Sequence, residues 1–400
     1  TAKEFFEQLD RAVALADKAS EGERLLILGQ KAGANADTKK QREYYQRLTA
    51  KYPRDERAHF QLGNAYFGQQ DYEKAIAEYQ TSVEIAPDFA PAYNILGYAN
   101  RQAGRFDEAE KAFKRYIELI PEDPNPYDSY AELLMKMGRY DESIAMYRKA
   151  LTFDPHFAAS FVGIASNLMF QGKHDASRAE AQKLYAAARN DGERRGAMFS
   201  ATVAYADEGK FDLALKELDK QYALGERIND AAAMSGDAVF MGNVLLESGK
   251  PGEALKRFDQ AVRVVQASNL SQEVKDNTKL LHHYNAARVA LRKNDLAAAK
   301  KDSDAFTKGT TALNNSFQIK LAHELAGMIA LQEKNFDQAL AHLAQANQQD
   351  PYNLYRMGVA YEGKGDGSKA KEMFHNAANH NTLPTLNHAF TREKVRKMKV

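Results

Sequence analysis

A chain of 400 residues with 55 basic and 54 acidic side chains has no net field to draw it to nucleic acid or to an acidic membrane. It has no cysteine, which excludes disulfides, thiol catalysis and cysteine-based metal sites. It also lacks an apolar run of the roughly 18 residues that a membrane-crossing helix needs. Hydrophobic residues at 44% and charged residues at 27% are ordinary for folded protein, so the length allows two or three compact domains or one long repeat array. Absence of cysteine is what an oxidising, extracytoplasmic compartment favours, and equally what chance gives in a helix-rich chain. Nothing at the start reads as a signal peptide, and because the chain begins at Thr1, not Met, a preceding segment is expected.

Residues 1–19 place Phe5, Phe6, Leu9, Val13 and Ala16 at steps of one, three and four, with Leu15 to one side, so one amphipathic helix is expected. From Gly22 a weak helical pair follows, with Leu25, Leu28, Gly29 and Ala32 in the first helix and Tyr45, Leu48 and Pro53 marking the second. From Asp55 to Pro155 the chain repeats itself every 34 residues: Pro87, Pro121 and Pro155 share one phase, and Gly104, Gly138 and Gly172 another. Each unit carries two apolar stripes at helical spacing, such as His59, Leu62, Gly63 and Tyr66, then Ala75, Tyr79 and Ser82. Between them, Gly68, Gly104, Gly138 and Gly172 suit a left-handed helix end. Asp71, Asp107, Asp141 and Asp175 suit the N-cap of the second helix, and Asp107 with Glu110 suits a capping box. A proline then stops that helix. Gly63 and Gly97, in mid-helix, imply close approach, with Ala75 and Ala109 facing them and Tyr79 or Phe113 beside them.

Beyond Pro155 the small residue that marks each second helix falls at 177, 214, 254, 299, 339 and 370, with steps widening to 37, 40 and 45 before returning to 31. Longer helices or loops are expected there, including a polar insertion from Ser268 to Thr278. The expected divisions are residues 1–54, a helix plus a degenerate repeat; 55–189, regular repeats; 190–382, irregular longer repeats; and 383–400, a terminal helix covering the last apolar face.

The order aromatic-x-x-Leu-Gly-x-x-Tyr, then Ala, an aromatic, a small residue and Pro resembles the tetratricopeptide repeat. Glu56–Pro87 carries it with His59 at the first aromatic position; Ala90–Pro121 and Pro124–Pro155 follow closely. The resemblance implies an all-α, right-handed α-solenoid, a superhelix of helix-turn-helix repeats, whose concave groove holds a protein or peptide partner. It implies no chemistry, no cofactor and no enzyme. Carried over by phase, the groove positions are Phe60, Asn64 and Phe67, then Asn94, Tyr98 and Arg101, then Asp128, Glu132 and Met135. Rings and amides in one trough suit an extended peptide. Asn64 resembles the amide of the carboxylate clamp in chaperone-binding members, but Phe60, Asn125 and Ser129 stand where its cations would be, so chaperone C-termini are not the expected ligand.

Other constellations have plainer readings. Gly363-Lys364-Gly365-Asp366-Gly367-Ser368-Lys369 lacks the order of a phosphate loop and falls at a hairpin turn. His282 and His283 are adjacent, and His375 and His380 are five apart, so neither pair shares a helix face as metal ligands would. His59 and His323 occupy the repeat's aromatic site, where packing accounts for them. The basic tail of Arg392, Lys394, Arg396, Lys397 and Lys399 suits a solvated helix end, whose dipole favours cations. The functional expectation is a scaffold that holds an extended partner segment. The alternatives are a ligand-sensing or regulatory module of a longer chain, or a glycan binder built on helical repeats.

Overall fold

The computed structural model describes residues 2–35, 37–313 and 315–398; Thr1 and Lys399 lie outside the described residues. The described residues form helices joined by short turns and contain no strand. The chain divides into two compact units, Thr1–Asp154 and Pro155–Val400. That division precedes the one expected near residue 189. The fourth regular hairpin packs onto the longer helices that follow it, so packing and not period sets the boundary.

The first unit comprises α1 (Ala2–Leu15), α2 (Glu21–Ala34), α3 (Thr38–Lys51), α4 (Glu56–Gly68), α5 (Tyr72–Ile85), α6 (Ala90–Gln102), α7 (Phe106–Leu119), α8 (Pro124–Lys136) and α9 (Tyr140–Phe153). From α2 onward, consecutive helices pair into hairpins and each hairpin packs on the next. Residues 1–54 are therefore no separate body: Leu25 and Tyr45 share one core with Leu62, Tyr79 and Leu96. In α1, Leu9 is buried, but Phe5 and Phe6 are exposed, so the expected stripe is only partly used.

The first three hairpins close on one contact, a ring of the second helix lying over a glycine of the first. A Cβ at Gly29 would stand 2.2 Å from the Tyr45 ring, at Gly63 2.5 Å from Tyr79, and at Gly97 2.7 Å from Phe113. The rings, and not the alanines expected to face them, are the nearest neighbours. Tyr45, Tyr79 and Phe113 are all fully buried. Burying such a ring contributes roughly 1.5–3 kcal/mol, more than the roughly 1 kcal/mol that a mid-helix glycine costs.

The turns differ from expectation in two details. Gly104 and Gly138 have φ near 77° and 76°, but in the first regular hairpin the left-handed residue is Gln70 at 63°, and not Gly68. Asp71 does cap α5, accepting from the Lys74 amide. Asp107 and Asp141 instead lie inside the first turns of α7 and α9, whose N-caps are Arg105 and Arg139 without a side-chain bond. There the carboxylates act on the helix dipole. Glu110 is not part of a capping box; it accepts from the Tyr130 hydroxyl at 2.6 Å and pairs with Lys114 and Arg139. Helices α5, α7 and α9 each end two residues before the expected proline. The first aromatic position has a shared polar task. His59 Nε2, the Tyr93 hydroxyl and the Tyr127 hydroxyl meet the carbonyls of Pro53, Pro87 and Pro121 at 3.2, 3.3 and 2.8 Å.

The second unit comprises α10 (Ala158–Phe170), α11 (His174–Ala187), α12 (Asp191–Asp207), α13 (Phe211–Arg227), α14 (Ala231–Glu247), α15 (Pro251–Ala267), α16 (Gln272–Arg292), α17 (Leu296–Leu313), α18 (Ser316–Gln332), α19 (Phe336–Leu343), α20 (Pro351–Gly363), α21 (Gly367–Ala378) and α22 (Leu386–Lys397). Longer helices, of 17 to 21 residues from α12 through α18, account for the stretched period, and most of the insertion after Ser268 is the first turns of α16. The glycine–ring contact recurs at Gly242 with Phe258 and Gly358 with Phe374. Gly365, at φ 81°, makes the turn expected of the Gly363–Lys369 stretch, and Asp366 caps α21. No helix among the described residues is long and apolar enough to cross a membrane.

Gly97→Ala tests the hairpin contact. Overpacking costs about 1–3 kcal/mol against a helix-propensity gain of about 1 kcal/mol, so its urea midpoint is expected to fall. Adding Phe113→Leu should lessen the loss. Gly68→Ala, where no atom lies within 4 Å, should raise the midpoint.

Candidate functional site

In the first unit the expected groove residues occupy one stripe on each first helix, at steps of four and three: Phe60, Asn64 and Phe67 on α4, Asn94, Tyr98 and Arg101 on α6, Asp128, Glu132 and Met135 on α8. Phe60 is half-buried, its ring meeting Phe89 edge-on at 5.3 Å and Tyr79 at 6.0 Å. Asn64 accepts the Tyr79 hydroxyl at 2.8 Å, so this amide secures the ring that closes its own hairpin. Phe67 lies half-buried against Tyr72.

Between α6 and α8, which touch directly, the stripe becomes a polar network. The Tyr98 hydroxyl stands 3.2 Å from both Ser129 Oγ and Glu132 Oε1. Arg101 donates to Glu132 at 2.8 Å and stacks over the Tyr98 ring at 4.7 Å. Asn125 Oδ1 accepts from the Tyr116 hydroxyl at 3.2 Å and lies 3.5 Å from Asn94 Nδ2, while the buried Oδ1 of Asn94 has no partner. Arg101, Asp128 and Met135, with 8%, 6% and 0% of their surface exposed, are packed between helices and offer no surface to a partner. Close approach of α6 and α8 turns those three positions inward. Asn125 and Ser129, considered only as missing clamp cations, belong to the network.

Lys136 was not among the sequence candidates. It lies one turn beyond Glu132 on α8, is half-buried, and makes no hydrogen bond or ion pair among the described residues. Burial, aided by the nearby Arg101 charge, lowers its pKa to about 8. Its placement at the helix C-terminal end gives no sequence signal, because a lysine there is commonplace.

The second unit uses its first-helix face differently. Helix α22 does pack on α20 and α21, as a terminal cover would, but it also runs back across α12 and α14. Arg396 and Lys397 are exposed as expected of a solvated end, but Arg392 and Lys394 are mostly covered. Arg392 Nε donates to the buried Asp207 carboxylate at 2.9 Å, and Arg396 reaches the other oxygen at 3.2 Å. Lys394 pairs with Glu247, while Arg396 keeps much of its side chain at the surface and the exposed Lys397 pairs with Glu393. Arg392 also stacks over the Phe170 ring at 4.9 Å, and Phe390 is buried beside Phe211 at 6.0 Å. Burial alone would raise the Asp207 and Glu247 pKa values, but their cationic and hydrogen-bonding partners hold both below the ordinary carboxylate range. Beside α22 a recess of about 510 Å³ is lined by Arg288, Arg292, Met328, Tyr355 and Lys394.

The histidines separate as expected, His282 to Asp259 at 2.7 Å and His283 to Asp302 at 2.8 Å. At the aromatic sites packing is not the whole account: His59 Nδ1 meets Glu78 at 2.7 Å and His323 meets His342 at 3.2 Å.

The tetratricopeptide repeat pattern matches residues 54–122 and again 125–157. No curated protein matches the sequence. Among solved structures, a MamA protein is 23% identical over 41% of this chain and 89% of its own, with a TM-score of 0.37. MamA from Desulfovibrio magneticus RS-1 is 14% identical over 41% and 93%, with a TM-score of 0.37. A tetratricopeptide repeat protein from Parabacteroides merdae is 15% identical over 66% and 99%, with a TM-score of 0.46. Residues 54–122 and 125–157 thus carry tetratricopeptide repeats, and within each unit the hairpins stack one on the next.

Proposed function

We propose that this protein is a non-enzymatic scaffold that holds an extended, acidic segment of a partner protein along the first-helix face of α4, α6 and α8. The observation that carries the reading is Lys136: a half-buried ammonium beside Arg101, with no carboxylate paired to it among the described residues. An unpaired buried cation is costly unless a counter-charge arrives. A carboxylate on the partner would supply it. Phe60, Asn64, Phe67, Asn94, Tyr98 and Glu132 give the remaining face, rings to cover side chains and amides to bond a peptide backbone. In the second unit the corresponding face is filled by α22, which favours the first unit as the partner's seat.

Lys136 ties function to stability with a definite sign. Its folded pKa of about 8 lies below the ordinary lysine value of 10.5, so between those values the unfolded chain binds more protons. Stability of the free protein should therefore rise as pH increases from about 8 towards 10.5. Lys136→Met should remove that rise, increase the melting temperature at pH 7, and weaken partner binding. A melting temperature that falls at pH 7 would refute the buried-charge account.

The partner face itself is tested by comparing proteins captured from native lysate by four baits: wild type, Lys111→Met on the exposed surface of α7, Asn94→Ala with Lys136→Met, and Asn64→Ala. A partner enriched by the first two and depleted at least fivefold by the third is expected. Equal recovery by all would move the site elsewhere. Asn64→Ala should lower stability by about 1–2 kcal/mol, because it orphans the Tyr79 hydroxyl; Asn94→Ala alone should lower it little, since the Asn94 carbonyl oxygen has no partner to lose. If no protein is enriched and a small anionic metabolite raises the melting temperature, the ligand-sensing reading gains, with the recess lined by Arg288 and Tyr355 as its seat.

A further inference from the structure

The face that receives α22 is built against its own helices. Asp207 and Glu247 are the last residues of α12 and α14. Acids at a helix C-terminus oppose the helix dipole, and burial penalises them further. Two such acids on successive first helices make a pair of sockets for cations from outside the array. Helix α22 fills both: Arg392 and Arg396, four apart and so on one side, meet Asp207, while Lys394, on the other side, meets Glu247. Phe390 enters beside Phe211 one turn earlier.

Two features mark this as a seated ligand and not a core element. Its interface sets the charged contacts to Asp207 and Glu247 beside a few apolar anchors, Leu386, Ala389 and Phe390, and the buried Thr391 hydroxyl has no partner, whereas the hairpins join chiefly through apolar rings. The sockets also keep partners of their own. His174 bonds Asp207 at 2.8 Å, and Arg292 and the Tyr352 hydroxyl approach Glu247 at 3.2 and 2.9 Å. The face can therefore persist with α22 withdrawn. Residues 379–385, irregular apart from turns and bends, tether α22 to α21.

We propose that the first-helix face of the second unit is a receptor for a basic amphipathic helix, and that α22 is its tethered occupant, which a partner helix of the same chemistry displaces. The partner segment would carry an aromatic residue followed by cations at the second, fourth and sixth positions after it, as Phe390, Arg392, Lys394 and Arg396 are spaced.

The test uses a fluorescent synthetic peptide with the sequence of residues 383–400, titrated by anisotropy into the full chain and into full-chain Arg392→Ala/Lys394→Ala. The doubly substituted chain, whose own helix is loosened, should bind the peptide at least tenfold more tightly than wild type. Adding Asp207→Asn and Glu247→Gln should abolish that gain. Equal affinity for both chains, or binding to neither, overturns the proposal. Should the variant lose helicity by circular dichroism, hydrogen exchange on the wild-type chain decides. Saturating peptide should speed exchange of amides in 386–397 while leaving α12 and α14 protected; unchanged exchange in 386–397 overturns it.

Discussion

One contact recurs through the fold and the rest depends on it: a large side chain of a second helix seated where the first helix has no side chain. It occurs at Gly29, Gly63, Gly97, Gly242 and Gly358 with an aromatic ring, and at Gly327 with Leu343. The contact brings two helices close enough for their remaining apolar faces to meet the next hairpin. A single helix pair has too little surface to bury, so its stability comes from neighbours on both sides. Where glycine is replaced, the partner position adapts. Ala131 stands in the glycine phase opposite Tyr147, and Ser143 of the second helix donates to the Ala131 carbonyl at 2.7 Å.

Because the closing ring comes from the second helix, only part of each first-helix stripe, such as Asn64 in the first unit, is taken up by hairpin closure. In the first unit that stripe is amide- and phenol-rich, partly self-satisfied between α6 and α8, and holds one ammonium without a counter-charge. In the second unit the stripe ends in two buried acids and is covered by the chain's own terminal helix. The two faces are thus chemically opposite, one lacking an anion and the other holding cations. Among the described residues, opposed charge, more than apolar area, distinguishes them.

The boundaries between units also follow packing. Period alone put a division where the 34-residue spacing fails. The actual division lies one hairpin earlier, because α10 and α11 pack against the long helix α12. Helix length changes how far along a neighbour each hairpin can reach, and a regular hairpin joins the body with which it shares the larger contact.

Much of this was legible in the amino-acid sequence because it is local. Helical periodicity, the glycine–ring phase from Gly29 to Gly358, the left-handed turns at Gly104 and Gly138 and the stop before each proline all depend on residues within one 34-residue repeat. So did the list of stripe positions such as Asn64 and Tyr98, since a helix presents them in register. What the sequence did not contain was which of those positions stay open. Met135 and Asp128 share the phase of Phe67 and Phe60 yet are buried, because burial depends on how closely a neighbouring helix approaches. Lys136 looked like an ordinary helix-end lysine until its surroundings removed water from it. The tail of Arg392, Lys394 and Arg396 read as a solvated end for the same reason. Its partners, Asp207 and Glu247, lie well over a hundred residues earlier in the chain, and only the packing of α22 across α12 and α14 brings them within reach.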